Sequence, residues 1–150
     1  MGRRSIDLWA FSLVVVRLGH RFLLVQERKH GETWYFPAGR LEAGETFPAA
    51  AIRETREEAG IDIAIDGILR VEHTPNGTSA RMRVIFVASP KDDTPPKSLP
   101  DDESLRAAWV TLDELDDLRL RGQEVREVLT AVAAGAPVYP LSLLAPEGER

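Results

Sequence analysis

From Leu8 to Val16 the chain reads Leu-Trp-Ala-Phe-Ser-Leu-Val-Val-Val, a nearly unbroken apolar run rich in β-branched and aromatic residues. Such a run belongs to a strand covered on both faces, since a strand with one wet face alternates apolar with polar positions. Arg17 to Arg21, with Gly19, turns the chain into a second strand, Phe22 to Gln26, and the charged stretch Glu27 to Glu32 reads as a loop. Trp34, Tyr35 and Phe36 make a short aromatic strand that Pro37 stops. The period then changes from strand to helix. Thr46 caps a helix that tolerates Pro48 in its first turn and runs to Ala59, where Gly60 supplies a left-handed stop.

Ile61 to His73 and Arg81 to Ser89 read as strands joined at Pro75-Asn76-Gly77. Pro90 to Pro100 is polar and proline-rich, and its length predicts a functional flap rather than a tight connection. Arg106 to Val110 returns to strand character, and Thr111 to Glu114 form a capping-box pattern that opens a short helix. Val125, Val128, Leu129 and Val132 then share one helical face, ended by Gly135 and Pro137. The tail from about residue 136 to 150 carries no recognisable signal and is expected to be mobile. Strands outnumber helices and helices fall between them, which predicts an α+β fold, an α/β/α sandwich around a mixed central sheet, rather than a bundle.

The length of 150 residues suits one domain, 1–150, large enough to bury a core without disulfides or a structural metal. There are no cysteines, which excludes a disulfide framework, a thiolate zinc site and a cysteine nucleophile, and matches a cytoplasmic setting. The net charge of −5 argues against a nucleic-acid polymer as partner. The Leu8 to Val16 run is too short to span a bilayer, so no membrane partner is expected. Small polyanions stay open where a metal or a local basic site supplies positive charge, and a homodimer stays open too.

That possibility sharpens at the helix. Glu54, Glu57 and Glu58 fall at i, i+3 and i+4, so three carboxylates share one face, extended backwards by Ala51, Ala50 and Phe47. Ile52, Thr55 and Ala59 lie opposite and read as the core-facing stripe. Like charges at this spacing repel by a few tenths of a kcal/mol per pair, and a hard divalent cation is a natural compensator. The alternative is a solvated acidic face partly neutralised by Arg53 and Arg56.

The preceding loop, Gly39-Arg40-Leu41-Glu42-Ala43-Gly44-Glu45, together with Arg53-Glu54 and Glu57-Glu58 up to Ile61, resembles the box of the Nudix hydrolase family over residues 39–61. Thr55 stands where that family usually has an aliphatic residue. Trp34 to Gly39 is similar to the family's aromatic-Pro-Gly-Gly entry, with Ala38 in place of a glycine, and Glu103 to Trp109 is similar to a later family segment.

The resemblance implies Mg²⁺-dependent hydrolysis, with Mn²⁺ as substitute, of a phosphoanhydride bond in a nucleoside diphosphate linked to another group. It implies Glu54, Glu57, Glu58 and the Gly39 carbonyl as metal ligands. Arg53 would orient a glutamate, and Glu45 would tie the loop to the helix. Glu58 and Glu103 are both candidates for the base that activates water. His20, His30 and His73 show no zinc spacing; Trp34, Phe36 and Trp109 read as strand core; Arg28, Lys29 and Arg81 read as solvated charge. Texture in two segments resembles the branch acting on oxidised guanine nucleoside diphosphates. Pro75, near the spacing at which ADP-ribose hydrolases carry a proline, keeps an ADP-ribose or nucleotide-sugar pyrophosphatase as the alternative. A non-catalytic nucleotide-sensing module is the reading of another class, disfavoured by the intact carboxylates.

Overall fold

The apolar run forms β1 (Asp7–Leu18), the spine of the sheet, in the computed structural model, which describes residues 2–150. The other strands are β2 (Arg21–Gln26), β3 (Trp34–Tyr35), β4 (Ala38–Arg40), β5 (Ile63–Asn76), β6 (Ser79–Pro90) and β7 (Arg106–Val110). The order across the sheet is β3-β2-β1-β6-β5, with β4 also on β1 and β7 also on β2. Among the described strands β1 and β6 are the pair that runs parallel, from Asp7 opposite Ser79 to Val16 opposite Ala88. The other edge of β1 is shared: Phe11–Leu13 pair with β4, and Arg17–Leu18 pair with β2.

Alternation along these strands divides the core into two layers. Leu13 and Val15 of β1 join Phe22, Leu24, Ile85 and Val87 under α2 (Glu124–Ala133), whose Val125, Leu129 and Val132 are buried. Val14 and Val16 join Leu23, Val25, Val84 and Phe86 under α1 (Phe47–Ala59). The α/β/α sandwich with a mixed sheet is therefore present. Two-sided burial holds for Leu13 to Val16, but Leu8 and Trp9 are 52% and 45% exposed. The Trp9 ring instead lies under the Arg40 guanidinium, 4.9 Å away.

The hairpin of β5 and β6 is longer than the pattern predicted. Pro75 sits within β5 opposite Ala80, which an edge strand permits because an outward-facing position needs no N–H. The turn residue is Gly77, with φ 63°. Thr111 and Glu114 do form the reciprocal capping box, on a 3₁₀ turn over Asp113–Asp117 rather than an α-helix.

The tail expected to be mobile is docked as far as Leu144. Ile68 and Tyr139 exchange two backbone hydrogen bonds of 2.8 Å, and Leu141 and Leu144 pack against the layer beneath α1. The docking occurs where β5 carries two register shifts against β6, between Ile65 and Gly67 and between Ile68 and Arg70. Bulges free edge groups that the tail then pairs. A sequence scan misses this because the partners are far apart along the chain.

Gly67 makes the close approach possible. A Cβ there would stand 2.5 Å from Val138 Cγ1 and 2.6 Å from the Tyr139 carbonyl oxygen. Gly67→Ala is expected to destabilise the fold by about 1–3 kcal/mol through overpacking, read as a lower urea midpoint. An unchanged midpoint would show that the tail contributes nothing to the fold.

Candidate active site

The loop into α1 and the helix itself are built by local chemistry. Thr46 Oγ1 accepts from the Ala49 amide at 3.2 Å, and Gly60, at φ 71°, returns its amide to the Arg56 carbonyl. Ala50, Ala51, Thr55 and Ala59 are buried, so the helix rests on the sheet through small side chains that allow close approach. The expected stripe is corrected in one member and extended in two. Ile52 is only half-covered, while Ala50 and Ala51, assigned to the acidic face, belong to the core. Thr55 satisfies its hydroxyl on the Ala51 carbonyl at 2.8 Å, so the polar substitution costs no unpaired group.

The carboxylates consequently flank the buried stripe instead of opposing it. Glu58 Oε1 accepts from the Ala38 amide at 2.9 Å, joining the helix to β4. Glu54, 13% exposed, lies so close to Gly39 that a Cβ at residue 39 would overlap its carboxylate. Arg53 is the hub. Its Nε and Nη2 clamp Glu45 at 2.7 and 2.9 Å, and its Nη1 donates to Glu54 at 2.9 Å and Glu57 at 3.2 Å. Glu45 also accepts from the Glu42 amide, closing the loop.

The electrostatics follow from this crowding. Burial pushes the Glu58 carboxyl well above the usual range, the Ala38 amide opposes this, and the charges of Glu54, Glu27 and Glu103 add to it. Burial also raises Glu54, with Arg53 opposing and Glu57 and Glu103 adding. Glu45 goes the other way, down to about 2, chiefly through the hydrogen bond from Arg53.

Two carboxylates from distant segments meet Glu58. Glu27, at the end of β2, and Glu103 line a cleft of about 490 Å³ with Glu58, Asp102, Arg28, Lys29 and His30. Glu27, Lys29 and His30 also line a second cleft of about 460 Å³, beside Gly39, whose cations include Arg40, Arg81, Arg83 and Arg121. Arg28, Lys29 and Arg81, read as mere surface charge, therefore face the clefts. His20 and His73 line neither. Trp34 and Phe36 are buried and Trp109 half-buried in the core layers, as expected. No motif in the sequence marks Glu27, Arg83 or Arg121 for the site; the one signal at Glu27 is a charge directly after a strand.

The Pro90 to Pro100 segment is not a free flap. The Lys91 amide donates to Asp62, the Lys97 amide donates to Ala59 at the end of α1, and the Lys97 carbonyl accepts from Ala107 of β7.

This arrangement coincides with a match to the NUDIX domain model over residues 8–132. The chain belongs to the Nudix hydrolase family. It is 43% identical over 90 residues to the human 8-oxo-dGDP phosphatase NUDT18, covering 58% of this chain and 27% of that protein. It is 33% identical over 135 residues to the Escherichia coli phosphatase NudJ, covering 87% and 86% of the two chains. A Nudix hydrolase structure from Nitrosomonas europaea superposes with TM-score 0.78 at 26% identity, covering 95% of this chain and all of that one. The chain spans little more than a quarter of the human NUDT18 sequence. Among the described residues no helix is long and apolar enough to cross a membrane.

The donor set fits the divalent cation that Nudix proteins generally use. No three described His, Asp or Glu side chains converge as a finished shell, because Arg53 and the Ala38 amide hold the glutamates. Yet Glu54, Glu57 and Glu58 offer only hard oxygen atoms, and the cradle between Gly39 and Glu54 has no room for a side chain at residue 39.

The Glu45–Arg53 clamp carries a pH signature. A carboxyl lowered in the folded state stabilises above its unfolded value near 4.5, and that contribution is lost as pH falls towards about 2. Glu45→Gln is thus expected to be less stable than wild type in urea at pH 7, with the difference shrinking as pH falls below 4.5 and vanishing only below about pH 2. A difference independent of pH would place the stabilisation elsewhere.

Proposed function

We propose that this Nudix chain hydrolyses a phosphoanhydride bond in a nucleoside diphosphate derivative, with Mg²⁺ as cofactor and Mn²⁺ able to replace it. The observation that carries the proposal is the meeting of a carboxylate cleft and a cationic cleft at Glu27, Lys29 and His30. Glu54, Glu57 and Glu58, with the Gly39 carbonyl, would hold the cation. When bound, it offsets phosphate charge and acts as a Lewis acid.

The chain's own groups supply the rest. Arg40 and Arg81 stack on Trp9 and Phe11 at 4.9 and 4.4 Å and pair with no carboxylate among the described residues, so both are free to hold phosphate oxygens. Among the described residues none donates a hydrogen bond to the Glu103 carboxylate, whereas Glu58 is buried and its Oε1 is committed to the Ala38 amide. Glu103 is therefore the base that takes the proton from water as its oxygen attacks phosphorus, and the leaving phosphate carries away the bond electrons. Glu58 serves as ligand.

The likeness to NUDT18 supports an oxidised guanine nucleoside diphosphate as substrate. The ADP-ribose alternative loses its motivating residue, because Pro75 is exposed near the hairpin tip and lines neither cleft.

A panel of oxidised and ordinary nucleoside di- and triphosphates, ADP-ribose and nucleotide sugars, with products identified by mass, tests the reading. Activity is expected to require Mg²⁺ or Mn²⁺ and to disappear in excess chelator; full turnover there would refute it. Glu57→Gln and Glu58→Gln should lose orders of magnitude in kcat while keeping the wild-type circular dichroism. Glu103→Gln should lower kcat by about 10²–10⁴-fold with KM within a few-fold. Unaltered kcat in this last variant would return the role of base to the box helix.

A further inference from the structure

Every carbonyl in the last turn of α1 has a partner, and three of the four bonds come from one short stretch of chain. Arg56 accepts from Gly60, but Ala59 accepts from the Lys97 amide at 2.8 Å, Glu57 from Lys97 Nζ at 2.5 Å, and Glu58 from Ser104 Oγ at 2.6 Å. Helix ends usually leave such groups to water or to a glycine motif. Here two of them are capped by side chains held well inside the protein and a third by a backbone amide. Ser104 is fully buried, and the Lys97 side chain is 13% exposed.

The two side chains are also joined to each other. Lys97 Nζ donates to Ser104 Oγ at 3.1 Å and pairs with Asp101 Oδ2 at 2.6 Å. Asp101 Oδ1 accepts from the amides of Glu103 and Ser104 at 2.9 and 3.2 Å, and the Asp101 amide donates to the Ser104 carbonyl at 3.0 Å. The small loop 101–104 is thereby closed, with Glu103 on it. Its carboxylate shares a cleft with Glu58, whose own carbonyl the clasp holds.

We infer that Lys97, Asp101 and Ser104 form a clasp that positions Glu103 against the carboxylates of α1, so that the helix end and the loop act as one rigid piece. The inference rests on the reading of Glu103 as base. The ammonium suits the place, since a cation at a helix C-terminus is favoured by the helix dipole and here replaces solvent on a carbonyl. None of the three side chains lines the carboxylate cleft, so each is a positioning residue. Misplacing a reacting group by about 1 Å can cost of order 10²-fold in rate.

The test is a set of double-variant cycles on the intact chain, with Lys97→Met, Asp101→Ala and Glu103→Gln made singly and in pairs. Folding is checked by thermal melting, and kcat and KM are measured with the substrate the panel selects. Asp101 is half-exposed, so Asp101→Ala remains informative if Lys97→Met does not fold. The expected result is a kcat lowered about tenfold or more by either clasp variant, with KM within a few-fold and almost no further loss once Glu103 is already Gln. Wild-type kcat in both folded clasp variants would overturn the clasp whatever Glu103→Gln does. Losses that multiply in the double variants would also overturn it, since Lys97 and Asp101 would then act on something other than Glu103. Wild-type kcat in Glu103→Gln alone would sink the reading of the base, a failure recognised without any clasp variant, and would leave the clasp nothing to position.

Discussion

Negative charge crowded beside a buried helix face is the constraint around which the site is organised. Glu54 and Glu58 flank the stripe by which α1 packs on the sheet, where burial disfavours their ionised forms and neighbouring carboxylates, Glu57 and Glu103 for Glu54 and Glu54 for Glu58, add to the effect. One guanidinium, Arg53, is shared among Glu45, Glu54 and Glu57. A partly buried charge cluster stabilises most when its geometry is good and its remaining donors are used. That requirement explains why Arg53 also reaches the Arg40 carbonyl and why Glu45 turns its loop back on the Glu42 amide. The loop takes its shape from the charges it must serve.

The sheet supplies the space. Because β1 gives one stretch of its edge to β4 and another to β2, a short segment at Pro37 to Gly39 is set directly beneath α1. The Val14 amide donates to the Pro37 carbonyl at 3.0 Å, so this segment continues the β1 ladder. The Ala38 amide is then free to meet Glu58, and Gly39 is bare enough for Glu54 to lie against it. A fold choice made by apolar alternation in β1 thus decides where a carboxylate can sit.

What could be read from the chain was what depends on neighbours in sequence. The caps at Thr46 and Gly60, the i, i+3, i+4 placement of the glutamates, and the layer alternation of Leu13 to Val16 all follow from local periods. The core-facing side of α1 was legible only in part: Thr55 and Ala59 are buried as the pattern reads, while Ala50 and Ala51 join them because their small side chains let the helix come closer. Glu27, Tyr139 and Lys97 were invisible for a related reason. Each acquires its role from a partner in another element, namely Glu58, Ile68 and the end of α1, and no spacing within the chain encodes those meetings. The proline-rich segment shows the same limit: its composition signalled an irregular connection correctly, while its fixation depends on Ala59 and Ala107.

Charge in the cationic cleft divides by the same logic of partnership. Arg83 is held by Glu72 and Glu124 and donates to the Tyr35 hydroxyl, which in turn donates to Glu124 at 2.8 Å. Burial and that bond push the tyrosine up to about 12, so its hydroxyl remains a donor to Glu124 and ties α2 to the sheet. Arg121 is occupied by Glu27 at 3.2 Å. Arg40 and Arg81 have only aromatic rings beneath them, which orient a guanidinium without neutralising it. Four arginines line the cleft, but two are already balanced and two carry uncompensated charge. An acidic chain can thus present a positive site, because anion binding depends on where cations lack partners rather than on how many there are.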